Sequence, residues 1–135
     1  AQAEVLPHEV AESSQHPAEV TAADVTRGQQ RFNIYCAPCH GFDGRGQGAI
    51  PKRATTSGAG AMLPANLTSA TGVAVKRPNG HLFNTISNGL NTMKGYAAQI
   101  PVADRWAIVL YIRALQRASN ATLEDVPADR RGESR

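Results

Sequence analysis

Cys36-Ala37-Pro38-Cys39-His40 is the stretch that decides how this chain is read. Its two cysteines are the only ones in 135 residues, three positions apart, with a histidine directly after the second. A redox dithiol also uses two intervening residues, but it belongs in a strand–helix–strand setting that this sequence does not offer. A structural zinc ion needs four ligands, and His8, His16 and His81 are scattered, with no second cysteine pair. A disulfide between residues so close is awkward and leaves His40 unexplained. The spacing has a better use. Two sulfurs three residues apart reach two vinyl groups on one edge of a porphyrin, and the next residue then lies under the iron. One haem c, covalently held by Cys36 and Cys39 with His40 as proximal ligand, is the expected cofactor.

The residues before this motif read as a helix that starts near Asp24 or Thr26 and runs through Gly28, Phe32 and Tyr35 into the cysteines. Gly28 costs about 1 kcal/mol relative to alanine inside a helix. Close approach of another helix is a physical reason to accept that cost. After the motif, residues 41–71 are rich in Gly, Pro, Ala, Ser and Thr, which excludes long regular elements. So long a loop in a small domain points to function or to a cofactor being wrapped. A short helix is expected over Asn79 to Ser87, opened by Asn79 and closed around Asn88–Gly89. A second loop carries Met93 to Tyr96. The last helix, Val102 to about Arg117, mixes Val102, Trp106, Val109, Leu110 and Ile112 with Arg105, Arg113 and Arg117, an amphipathic pattern with cations in its last turn.

Composition sets the outer limits. Apolar content of 41% and charged content of 19% fit one soluble globular domain. Aromatic content of 5% is low for a body that must build its own centre, and a large apolar cofactor would supply one. No run of 18 apolar residues occurs, so no membrane-spanning helix is expected. The chain starts without Met or a basic-then-apolar leader, as a trimmed product would, with a signal or anchor expected upstream of Ala1.

The net charge of +3 conceals an asymmetry. Residues 1–25 hold five acids and no Lys or Arg, −5. Residues 26–117 hold eleven Lys/Arg against Asp43 and Asp104, +9, and residues 118–135 hold three Arg against four acids, −1. We therefore divide the chain into an acidic arm over 1–23, a basic body over 24–118 and a polar, frayed tail over 119–135. The basic body reads either as a solubility device or as a docking face for an acidic partner, where charge speeds encounter.

A haem that only passes electrons keeps both axial positions filled, and a thioether sulfur raises its potential relative to a second imidazole. Met62 and Met93 are the two methionines. A distal ligand has to arrive from the face opposite His40, so Met93, far along the chain, is favoured over Met62 in the nearer loop. Packing of apolar surface is the bland alternative for either. His81 is a third candidate, better read as a solvent-facing residue of the short helix.

Taken together, Gly28, Phe32, Cys36-Ala37-Pro38-Cys39-His40-Gly41, Gly44-Arg45-Gly46-Gln47-Gly48, Pro64-Ala65-Asn66-Leu67, Met93 and Asp104-Arg105-Trp106 resemble class I monohaem cytochromes c over about residues 24–117. The resemblance implies an all-α fold with the N- and C-terminal helices crossing, Gly28 and Phe32 against Trp106 and Tyr111. It implies a proline carbonyl that holds the proximal histidine, with Pro51 as candidate and Pro64 as rival, and Leu67 against the porphyrin. Lys94 stands where many relatives carry proline after the ligand methionine. The stretch Ile100 to Gln116 is similar to the monohaem cytochrome c subunit of bacterial alternative complex III, and related domains occur fused to haem-copper oxidases. The function so implied is a non-enzymatic carrier of single electrons from a quinol-oxidising respiratory complex toward a terminal oxidase or another cytochrome. Its partners would be redox proteins with acidic docking surfaces and respiratory membrane complexes, not nucleic acid. Its place would be the periplasm or the outer face of the cytoplasmic membrane, reached through a missing anchor or partner subunits. A haem enzyme or gas sensor with a displaceable sixth ligand is the alternative.

Overall fold

The computed structural model describes residues 20–134. Most of the expected acidic arm, residues 1–19, lies outside the described residues. The first helix, α1 (Ala22–Tyr35), starts earlier than the sequence suggested. Its cap is Thr21, whose hydroxyl accepts from the Asp24 amide while the Asp24 carboxylate accepts from the Thr21 amide at 2.9 Å. This reciprocal pair satisfies two of the donors left open at a helix start. Asp24 is thus the third helical residue, and the Thr26 hydroxyl donates to the Ala22 carbonyl from inside the helix.

A one-turn helix, α2 (Ala37–His40), follows directly. The loop that the sequence suggested over 41–71 contains a further helix, α3 (Ala49–Thr56). Pro51 does not forbid it, because it sits in the first turn, where its missing N–H would have no partner. A single turn, α4 (Val73–Lys76), leads into α5 (Asn79–Asn88), which begins after Pro78 and ends at Gly89. Asn79 therefore lies inside the helix and does not cap it. Two short antiparallel strands, β1 (Gly89–Leu90) and β2 (Met93–Lys94), pair Leu90 with Met93. The long helix α6 (Val102–Ser119) completes the body. The tail after it is exposed but holds turns of 3-10 helix at Leu123–Asp125 and Ala128–Ser134. Asp125 caps the first of these with Thr122 and accepts from Arg117 at 2.9 Å, so the tail is tied back where fraying was expected.

The core lies between α1, α5 and α6. Phe32, Phe83, Ile100, Ile108 and Val109 are fully buried. Ile108, Val109 and Ile112 recur at helical spacing and give α6 the stripe that it buries. Helices α1 and α6 cross at Gly28. A Cβ at this position would stand 2.0 Å from the Ala107 carbonyl oxygen and 2.9 Å from Tyr111 Cβ, so only glycine allows this approach. Phe32 meets Tyr111 edge-on at 5.2 Å. Trp106 does not join this contact as the resemblance implied. Its ring stacks on Phe83 of α5 at 4.2 Å, because one residue of helix rotation turns it toward the neighbouring element.

Candidate functional site

Helix α1 delivers Cys36 as the buried residue that caps its C-terminus, and α2 then carries Cys39 and His40. The His40 amide donates to the Cys36 carbonyl at 2.8 Å, which makes the motif one tight turn. The carbonyls of Cys39 and His40 accept from the amides of Gly48 and Gly46 at 3.1 and 2.7 Å. The glycine-rich loop thereby wraps the turn and satisfies its backbone. No disulfide joins the two cysteines. Burial pushes the Cys36 thiol up to about 12, with Cys39 adding to the shift.

His40 is buried, and its Nδ1 donates to the carbonyl of Ala65 at 3.0 Å. A carbonyl only accepts, so Nδ1 carries the proton and the lone pair on Nε2 is left for a metal. Burial lowers the pKa of His40 and the Ala65 bond opposes it, so the neutral, ligating form is favoured. The partner is neither of the prolines proposed from the sequence. Pro51 is buried in the first turn of α3, and its carbonyl accepts from the Thr55 hydroxyl at 3.0 Å. Pro64 falls one residue short. The carbonyl that reaches His40 is the next one, Ala65, while the Pro64 carbonyl lies against Gly46. A backbone carbonyl has no side-chain signature, so nothing in the sequence singled out Ala65.

Leu67 is half-buried against the core. Its amide donates to the Gly44 carbonyl at 2.7 Å, and its own carbonyl accepts from Gln116 of α6 at 2.7 Å. Asn120 donates to the Thr68 carbonyl at 2.7 Å. The loop that holds His40 is therefore bolted to the last helix, by polar residues that the sequence reading did not select.

Met93 is half-buried on β2. The segment after it folds back on α5, with the amides of Tyr96 and Ala97 donating to the carbonyls of Ile86 and Ser87 at 2.8 and 3.1 Å. Tyr96 then meets Tyr35, the residue before Cys36, at 6.0 Å. The Tyr96 phenol is raised first by burial and then by the two cysteines, which marks its closeness to them. The Met93 segment and the cysteine turn thus meet, although almost sixty residues separate them in sequence. Met62 is more exposed, at 41%, in the loop before Pro64. His81 is engaged locally: Arg77, just before α5, donates to its Nε2, and its Nδ1 lies 3.4 Å from the Thr85 hydroxyl one turn on.

These residues fit a haem. Two cysteines and a histidine with one free nitrogen converge on one turn. Phe42, Ile50 and Leu63, which flank that turn and its loop in sequence, are left 72%, 47% and 90% exposed. Apolar side chains so uncovered suit a large flat apolar group.

Residues 23–112 match the family described as cytochrome c oxidase, cbb3-type, subunit III. The chain belongs to this cytochrome c family. Its cytochrome c domain is of class I and carries haem c, held covalently through Cys36 and Cys39. The bound group supplies reversible one-electron chemistry at its iron. The fold is similar to a chain of a reducing HAO-like protein complex from Kuenenia stuttgartiensis, with a TM-score of 0.58 and 21% identity. The likeness covers 76% of this cytochrome c and 48% of that chain, so the present chain spans about half the length of its structural relative. At that identity the likeness speaks for the fold alone. No curated protein matches the chain.

Proposed function

We propose that this cytochrome c domain takes single electrons from a quinol-oxidising respiratory complex and hands them to a terminal oxidase or another cytochrome, outside the cytoplasm. Haem-based electron transfer follows from the family, and a place within a multi-protein redox assembly is part of our reading. The donor, the acceptor, the compartment and the similarity to the alternative complex III subunit are our reading. The observation that carries it is the distribution of charge around the cysteine turn. Lys52 and Arg53 are exposed on α3, which begins at the glycine loop that wraps His40, and Lys94 is exposed beside Met93. Only Asp43 and Asp104 oppose the eleven cations of residues 26–117, and Asp104 is paired with Arg27. Such a face speeds encounter with an acidic partner and releases it quickly.

In this reading His40 and Met93 would hold the iron of the bound haem, which would supply reversible one-electron chemistry there. Ala65 fixes the His40 tautomer and raises its basicity. Leu67 and the fully buried Phe83 contribute to the apolar surroundings. None of the chain's residues needs to move a proton.

The test is the visible spectrum of the reduced holoprotein before and after carbon monoxide. A six-coordinate low-spin spectrum that carbon monoxide barely changes supports the carrier. Ready binding of carbon monoxide replaces it with the enzyme or gas sensor. Electron exchange with an acidic cytochrome should slow steeply as salt rises. A rate independent of salt removes the docking face.

A further inference from the structure

Arg105 is 7% exposed and lies on the buried stripe of α6, one turn before Ile108 and Val109. A cation there is expensive unless it is paired and hydrogen-bonded. No carboxylate forms an ion pair with it among the described residues. Its guanidinium instead donates three ways: Nε to the Ile100 carbonyl at 2.8 Å, Nη1 to the Ser87 hydroxyl at 3.0 Å, and Nη2 to the Ala97 carbonyl at 3.3 Å. It also lies 5.4 Å from the centre of the Phe83 ring. The acceptors have a pattern. Ser87 is at the end of α5, just before the hairpin that carries Met93. Ala97 and Ile100 come just after it. The fork therefore closes the base of the 88–96 loop and ties both of its stems to α6.

We propose that Arg105 is the positioning residue for Met93, holding the loop shut so that the methionine sulfur stays on the iron. The proposal rests on the reading of Met93 as sixth ligand. A rigid fork of fixed geometry suits the task, because three acceptors on two chain segments are held by one planar group. A loop that opens more often admits an outside ligand more often, and the apparent affinity of that ligand rises in proportion to the open fraction.

The experiment measures imidazole binding to the ferric holoprotein, together with the weak far-red band that reports methionine sulfur on ferric iron. Arg113 is the control. It is a comparable staple of α6, donating to Asn79 at 2.8 Å and to the Ala74 carbonyl at 3.1 Å, away from the Met93 loop. Arg105→Leu should raise imidazole affinity about tenfold, about 1.4 kcal/mol, weaken the far-red band and lower the reduction potential. Arg113→Leu should lower the denaturation midpoint and leave the other three readouts where they were. If both variants lower the midpoint equally and neither changes imidazole affinity, or both change it alike, Arg105 is only structural and the proposal falls. If Arg105→Leu does not fold, Ser87→Ala decides. It removes one of the three acceptors and should raise affinity about threefold in the same scheme, and no change overturns the proposal. Met93→Ala separates the two ideas. Loss of the far-red band confirms the ligand, so a silent Arg105→Leu then counts against the fork alone. Persistence of the band shifts the ligand to Met62 and overturns both.

Discussion

Replacing Gly28 by alanine tests the helix crossing on which the whole body rests. The new Cβ would stand 2.0 Å from the Ala107 oxygen and 2.7 Å from its carbonyl carbon. Real Cβ contacts are essentially never below 3.0 Å, and the obstacle is backbone, which cannot swing aside. Helices α1 and α6 must therefore separate by about 1 Å, the difference between those two distances. Overpacking of this kind costs about 1–3 kcal/mol. The upper end applies here, because the displaced contact also holds Phe32, which is fully buried, against Tyr111. Alanine returns about 1 kcal/mol in helix propensity. The expected net loss is about 2 kcal/mol, which lowers the melting temperature by about 8–16 °C for a body of this size. The assay is guanidinium denaturation of the holoprotein followed by far-ultraviolet circular dichroism, with the slope of the transition unchanged. Gly28→Val should lose more. A Gly28→Ala protein within about 0.5 kcal/mol of the parent, or one that gains stability, would refute the close-approach argument.

Two further outcomes follow from the site and its supports. Gly46 has a φ of 86° and would place a Cβ 2.5 Å from the Pro64 carbonyl oxygen. Gly46→Ala should cost at least about 1–2 kcal/mol from the backbone alone, and by pushing away the peptide that holds His40 it should raise the reduction potential, as voltammetry would show. An unchanged potential would mean that the Ala65 bond does not tune the ligand. Asp104 is held below its ordinary value of 3.8 chiefly by the Arg27 hydrogen bond. Its contribution is therefore fully present above that pH and fades as pH falls through the lowered folded value. The stability gap between the parent and Asp104→Asn should be widest near neutrality and close in acid, and a gap that stays constant with pH would contradict the pairing.

Parts of the site that depend on neighbours in sequence were legible early. Cys36, Cys39 and His40 form one turn, and a covalent attachment motif is a matter of spacing. Gly28 was identifiable as a helical glycine in need of a close neighbour. Arg105 carries a signal in the sequence itself: a cation three and four residues before Ile108 and Val109 belongs to the buried stripe, not to the polar face. Helix α3 does not stand out in the sequence because Pro51 and the glycines on either side, Gly48 and Gly58, read as loop, although Pro51 falls where a helix tolerates it.

The sequence alone determined the cofactor, the helical class and the imbalance of charge, because each of these rests on residue type, local spacing or a count. The tertiary structure decided which carbonyl reaches His40, which ring Trp106 stacks on, and which side chain closes the Met93 loop. These are contacts between different elements and loops, from five to twenty-five residues apart, and several are made by backbone atoms that every residue shares. They exist only once the burial of Phe32, Phe83 and Ile108 has fixed how α1, α5 and α6 lie against one another.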